Sequence, residues 1–183
     1  MANMRKRVGY TTFRTAIGQC GLVWTDAGLV AVQLPERSAA ATAARIRRRF
    51  PGARRRLATR AVRRARAAIV RLLAGRGDEL AAIQLDLSNC SPFNRRIYEL
   101  AREIPLGETR SYGELAARAG NPRAARAVGQ AMAHNPFPLL VPCHRVLASN
   151  GGAGGFSAPG GVDTKFRLLR IEGALAQAEL PLG

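Results

Sequence analysis

Residues that could staple or ligate are scarce. The chain has three cysteines, Cys20, Cys90 and Cys143, and none lies in a Cys-x-x-Cys pair, so a paired disulfide framework is excluded. Only two histidines, His134 and His144, are present, and so short a supply of donors argues against a four-ligand structural zinc site. No metal is expected. Aromatic residues make up 5% of the chain, so Ala, Leu and Val must do most of the core filling. There is no apolar run of about 18 residues, hence no membrane-spanning helix. The N-terminal MANMRKRVGYTTF is basic but lacks the apolar stretch of a secretory signal. These absences predict a soluble cytoplasmic protein with reduced thiols. Acidic residues are few: 12 Asp and Glu face 29 Lys and Arg, a net charge of +17. All but Lys6 and Lys165 of the basic residues are arginine. A sequence pI near 11.6 favours a polyanionic partner, nucleic acid first and an anionic membrane second.

With 183 residues and 47% hydrophobic composition, the chain can build one large domain or two small ones. Tyr10 to Leu34 contains short β-branched and apolar runs split by turn residues at Gly18 and Gly28, the pattern of an antiparallel meander. Residues 37–77 carry fourteen arginines and no acid. Within them Arg45 to Phe50 reads as helix, broken by Pro51-Gly52. Arg60 to Leu73 places Val62, Ala65, Ile69, Leu72 and Leu73 at helical spacing. Ile83 to Leu87 alternates like a half-buried strand. After a boundary at Ser88 to Pro92 the pattern turns helical. Ser91-Pro92 caps a helix with Phe93, Ile97, Leu100 and Ala101 on its apolar face. Ser111 and Glu114 have capping-box spacing. Asn121-Pro122 starts a second short helix, Arg123 to about Ala133, so the pair outlines a helix-turn-helix. Leu139-Leu140-Val141 reads as a buried extended run, a glycine-rich loop spans Gly151 to Gly161, and a last helix from about Asp163 delivers Glu172. The fold class is therefore α/β over 1–87, then a mainly α unit over 88–176, with a loosely ordered tail at 177–183.

The chemistry concentrates at Pro142-Cys143-His144-Arg145. An ordinary thiol is only a few per cent ionised at neutral pH, and an adjacent His or Arg raises that fraction. In an extended segment neighbouring side chains point apart, so His144 reaches the Cys143 sulfur only across a bend or a bridging water. A third group should orient the imidazole, and Glu172 is the leading candidate among the few acids of this half. Taken alone, a cysteine after an apolar run is more often a small buried hydrophobe.

The surrounding residues change that balance. SYGELAARAGNPRAARAVGQAMAHNPFPLLVPCHRV, Ser111 to Val146, closely resembles the O6-alkylguanine-DNA alkyltransferases, also called methylated-DNA–protein-cysteine methyltransferases. The likeness extends back through IPLGETRSYGELA and forward to LLRIEG, and more weakly over TAIGQCGLVWTDAGLVAVQLPE. It implies a ribonuclease-H-like first domain, a helix-turn-helix second domain and single-turnover repair. The thiolate of Cys143 displaces the alkyl group from guanine O6 and keeps it, with no cofactor; O4-alkylthymine is left open as a second substrate. By position, His144 deprotonates the thiol through water, Glu172 holds His144, and Asn135 braces the turn. Tyr112 crowds the target phosphate and can donate a proton to the departing guanine. Val146, Ser157, Phe156 and Met132 fall at the substrate pocket.

Guanine O6 lies inside the duplex stack, so the base must be everted to meet a protein thiol. The resemblance puts Arg123 to Ala133 in the minor groove and Arg126 in the gap left by the extruded base. Ala125, Ala127 and Gly129, small side chains, allow close approach without reading sequence, and Arg123 adds charge. The partner is duplex DNA holding alkylated guanine, met by a monomer able to cluster on DNA. The arginines from Arg45 to Arg76 read as a solvated basic face, with a second phosphate contact as the alternative. Departures from the family pattern are Asn94 in place of Gln, Phe156 in place of Tyr, and Ala158-Pro159 in place of Gly. Two rival readings remain at this stage: a DNA-binding regulator without catalysis, and a thiol hydrolase built on Cys143, His144 and Glu172.

Overall fold

The meander forms as its turn residues require. In the computed structural model, which describes residues 7–77 and 80–175, strands β1 (Gly9–Thr15), β2 (Gly18–Thr25) and β3 (Gly28–Gln33) pair antiparallel in sequence order. A two-residue strand β4 (Arg54–Arg55) adds parallel to β1, giving the order β3-β2-β1-β4. Alternation along the central strand sorts its side chains between two helices. Leu22 and Trp24 join the large core with Val62, Ala65, Ile69, Leu72 and Leu73 of α2 (Arg60–Leu73). Val23, with Tyr10 and Ala31, meets Ile46 of α1 (Ala39–Arg49) on the opposite face. Gly21 lets α1 sit this close, because any Cβ there would strike the Ile46 side chain and come within 3.3 Å of the Thr11 carbonyl. Truncating one of the buried Leu or Ile side chains to Ala costs about 2–5 kcal/mol.

Residues 83–87, expected as a strand, make only a single bridge, Leu29 to Leu85. The Leu29 N–H reaches the Gln84 carbonyl at 3.4 Å and the Asp86 N–H reaches the Leu29 carbonyl at 2.7 Å. Alternation predicted the half-burial, but the preceding 3-10 turn, Leu80–Ala82, leaves too little straight chain to pair further.

The second half is helical as expected. Ser91 caps α3 (Pro92–Arg102), its hydroxyl accepting from the Asn94 N–H. Ile97, Tyr98, Leu100 and Ala101 are buried, but Phe93 is 37% exposed, because it sits in the first turn, ahead of the packed part of the helix. A complete capping box of Ser111 and Glu114 starts α4 (Tyr112–Arg118). A 3-10 turn, Pro122–Ala124, leads into α5 (Ala125–Ala133), so the second helix of the pair begins later than the sequence pattern implied. Strand β5 (Arg110–Ser111) pairs in parallel with β6 (Val146–Leu147), and α6 (Gly161–Ile171) closes the described chain. One large core runs from Phe13 and Leu22 through Ile97 to Val141 and Leu168, joining both halves. The expected tail at 177–183 lies outside the described residues. Among those described, no helix is long and apolar enough to cross a membrane.

Candidate active site

The acceptor loop is built around Asn135. Its side-chain oxygen accepts from the Phe137 N–H at 2.9 Å and its amide donates to the Val141 carbonyl at 2.8 Å, tying both ends of a tight loop. Leu139 and Leu140 are buried as expected, yet they form a turn rather than an extended run. Leu139 adopts φ +74°, the only non-glycine residue with positive φ among those described. That conformation costs a branched side chain about 1 kcal/mol or more, so the Asn135 brace and the buried contacts of Leu139 must hold it. Pro142 follows, and Cys143, His144 and Arg145 form one turn of 3-10 helix, the bend that the sequence required.

His144 is wholly buried, and its Nε2 lies 2.9 Å from Glu172 Oε1. Arg145, read in sequence only as a neighbouring charge, grips the same carboxylate: its Nε donates to Oε2 at 2.7 Å and its Nη2 to Oε1 at 3.0 Å. Its Nη1 donates to the Ile104 carbonyl at 2.7 Å. Burial pushes the Glu172 carboxyl up, but the His144 and Arg145 hydrogen bonds and charges outweigh it and hold it at about 2. The carboxylate fixes the imidazole proton on Nε2 and leaves the lone pair on Nδ1. Nδ1 is buried and has no hydrogen-bond partner.

Cys143 is 6% exposed. Burial raises its pKa, opposed by the Asn135 side chain, the Lys165 ammonium and the backbone N–H groups of Cys143 and His144. Lys165 escaped the sequence reading. It is buried, and its Nζ donates to the Val146 carbonyl at 2.6 Å and the Ala153 carbonyl at 2.5 Å, pinning the acceptor segment to the glycine-rich loop. Its signal was its rarity, since it is one of two lysines among 29 basic residues. A lysine ends in a compact cation with three donors, unlike the broad guanidinium fork. Burial lowers its pKa to about 8, against the raising effect of Cys143. Its charge lies 5.7 Å from the Tyr112 ring centre. Gly154, at φ +60°, lies against that ring, and a Cβ there would come within 2.8 Å of the tyrosine hydroxyl.

A cavity of about 270 Å³ opens on Cys143, with Met132, Asn135, Phe156 and Ser157 in its walls. The Ser157 hydroxyl donates to the Ala133 carbonyl at 2.6 Å. Val146, expected at this pocket, is wholly buried and is not among the lining residues; its carbonyl holds Lys165 instead. On α5, Val128, Ala131 and Met132 face inward, while Arg126 and Ala127 are exposed and Ala125 and Gly129 half-buried; Arg123, on the 3-10 turn before it, is exposed. A Cβ on Gly129 would make only ordinary 4.0 Å contact with Tyr112, so internal packing does not require glycine there.

Comparison with known proteins bears on this arrangement. The profile of the 6-O-methylguanine DNA methyltransferase DNA-binding domain matches residues 92–174. The methylated-DNA–protein-cysteine methyltransferase of Mycolicibacterium paratuberculosis is 49% identical over 100 residues, covering 55% of this chain and 59% of that protein. The crystal structure of Mycobacterium tuberculosis O6-methylguanine methyltransferase is 33% identical, covers 94% of this chain and 96% of its own, and superposes with a TM-score of 0.74. The chain belongs to the O6-methylguanine-DNA methyltransferase family. Another methyltransferase structure, Mycobacterium tuberculosis OGT in complex with DNA, is 34% identical with a TM-score of 0.72, covering 93% of this chain and 96% of that one. The sequence match itself spans about three-fifths of its first curated relatives, 59% of their length. The profile match, over residues 92–174, holds Cys143, His144, Lys165 and Glu172. The methyltransferase profile therefore covers the acceptor site, while β3 and α1, which complete the cavity wall, lie outside it.

Proposed function

We propose that this protein reverses alkylation damage directly, moving the alkyl group of O6-alkylguanine in duplex DNA onto Cys143, once per molecule. The observation that carries the reading is a buried thiol at a base-sized cavity, followed immediately by an imidazole whose far nitrogen is locked to Glu172. The Nδ1 lone pair of His144 takes the thiol proton through a water, and Glu172, held in place by Arg145, stabilises the imidazolium. The sulfur attacks the alkyl carbon, the S–C bond forms, the C–O6 bond breaks, and the electron pair leaves on guanine. Tyr112 supplies a proton to that base; burial, then the nearby Cys143 charge, raises its pKa, which keeps it protonated at neutral pH. A thioether offers no route back to free thiol, so each molecule acts once.

The α4-turn-α5 pair serves as a helix-turn-helix, with α5 against the minor groove. Ala125, Ala127 and Gly129 let backbone approach backbone, Arg123 meets phosphate, and Arg126 fills the place of the everted nucleotide. Met132, Phe156 and Ser157 wall the pocket. The ribonuclease-H-like unit of residues 1–87 supports residues 88–176 across the shared core, and the protein works as a monomer that can cluster on DNA. Activity on O4-alkylthymine belongs to the same chemistry. Incubation with a duplex containing O6-methylguanine should add one methyl group to Cys143 by intact mass and peptide mapping. Sequence-selective DNA binding with an unmodified thiol would instead support a regulator, and repeated turnover on an acyl substrate a hydrolase.

A further inference from the structure

Alkyl transfer leaves a second opening unused. A groove of about 1130 Å³ lies between the β2–β3 turn and the start of α2, and it shares no residue with the cavity on Cys143. Trp24, Leu29, Val62 and Ile83 are buried beneath it, while Arg60, Arg63 and Arg64 stand exposed at its rim. Asp26 is the one acid in the lining, so three guanidiniums face a single carboxylate. Arg63 donates to the Ala58 carbonyl at 2.8 Å. The guanidiniums of Arg60 and Arg64 have no ion pair or hydrogen bond among the described residues. The first turn of α2 carries no acid either, so the positive end of its dipole adds to the same rim. Trp24 is only 3% exposed, yet its indole N–H has no hydrogen-bond partner among the described residues. A buried indole ordinarily has one.

We propose that this groove docks an extended acidic segment of a partner protein, in which apolar side chains are flanked by carboxylates. The apolar side chains enter between Ala61 and Ala82, both exposed and too small to close the way to the floor. The carboxylates meet Arg60 and Arg64, whose forks match them. A backbone carbonyl of the segment accepts from the Trp24 indole. Nucleic acid fits less well. A phosphate finds no donor in an apolar floor, and a base has no open ring face to stack on, because Trp24 is buried. A second copy of the chain fits no better, since each copy carries +17 and the two repel. A partner held here leaves the acceptor cavity open to its substrate.

Trp24 is the chain's single tryptophan, so its emission reports on the groove directly. The probe is the capped peptide EEELLEEE, which has no aromatic residue, titrated into the full chain. Emission should change saturably. A peptide with both leucines replaced by serine keeps the charge and should lose the change, which separates docking from general attraction to a basic protein. Arg60→Glu/Arg64→Glu should raise Kd about tenfold or more, because two facing charges are reversed. Arg60→Lys/Arg64→Lys should stay near the native value. Both positions are exposed, so these exchanges leave the fold intact. Three results overturn the proposal. The first is no emission change up to about 1 mM leucine peptide, an affinity too weak for a docking contact. The second is an equal response to the serine peptide, which would mean charge alone. The third is an unmodified single-stranded oligonucleotide that changes Trp24 emission more strongly than the peptide and loses that effect in Arg60→Glu/Arg64→Glu, which would give the groove to nucleic acid.

Discussion

Cys20 and Cys143 are both buried thiols on well-packed segments, and burial raises the pKa of each. They differ in what surrounds the sulfur. Cys20 sits on the central strand, the Thr15 hydroxyl lies 3.7 Å from its sulfur, and burial pushes it up to about 12 against that hydrogen bond. Cys143 meets an amide, two backbone N–H groups and a buried ammonium, all of which favour the anion, and it faces a cavity. Burial without donors makes a thiol inert, whereas burial with donors keeps it neutral until a base acts and then stabilises what forms. The largest effect should separate the two outright. Cys143→Ser should end alkyl transfer by intact mass, and Cys20→Ser should keep it while costing about 1–3 kcal/mol in urea unfolding for a buried hydroxyl. Transfer that survives Cys143→Ser would erase the distinction.

The anchor beneath Cys143 comes next. Glu172→Gln leaves Arg145 and His144 without their counter-charge, and breaking such a buried group costs about 3–5 kcal/mol. Transfer should fall with stability, even in molecules still folded by circular dichroism. The native carboxylate also predicts an acid limb. Its pKa is depressed from an ordinary 4.5 to about 2, so its contribution is complete above pH 4.5 and disappears as pH falls toward 2. That contribution is about 3 kcal/mol. Urea midpoints of native protein and Glu172→Gln should converge across that window and stay apart above it.

Much of this was legible in advance, and the failures share a cause. Features set within a few residues were readable: the glycine turns of the meander, the 3.6-residue spacing of α2, the capping box at Ser111. So was the adjacency of Cys143 and His144, and the scarcity of acids in this half singled out Glu172 as the imidazole's partner. What needed the fold was whatever two distant segments make together. Lys165 lies 22 residues from Cys143 in sequence, and nothing local points it inward. Arg145 read only as a charge beside the thiol, and its grip on Glu172 needed the fold. The left-handed Leu139 is enforced by Asn135 and by burial, against its own preference. Residues 83–87 had a strand's alternation without a strand's partner.

On DNA, Arg126→Ala should slow repair of duplex lesions by about 10–100-fold, the worth of ~1–3 kcal/mol against the unstacked site, while sparing O6-substituted free guanine. Equal losses on both substrates would refute a place in the vacated stack. Lys165→Met should act more gently, lowering the free-base rate about tenfold at pH 7, equivalent to one unit on the thiol. The native lysine loses its charge as pH rises through about 8, so the two proteins should converge above that pH. A gap of constant size would assign Lys165 to loop packing alone.

The smallest effect concerns arginines that look alike in sequence. Arg63, Arg64 and Arg66 of α2 are exposed, on a helix whose other face is buried in the large core. Arg123 and Arg126 are equally exposed but lie on the 3-10 turn before α5 and in the first turn of α5, the helix whose far end lines the acceptor cavity. If only the second group meets phosphate, each residue removed from it should reduce the salt slope of duplex binding by roughly 0.9, and the α2 triple Arg→Gln should leave the slope unchanged. Surface charges of this kind also contribute little to stability, within about 0.5 kcal/mol, so the triple variant should unfold with the native protein. A slope that drops by two or more in the α2 variant would extend the DNA footprint across the first half of the molecule. The arginine-rich composition would then be a second binding surface and not a solvated face.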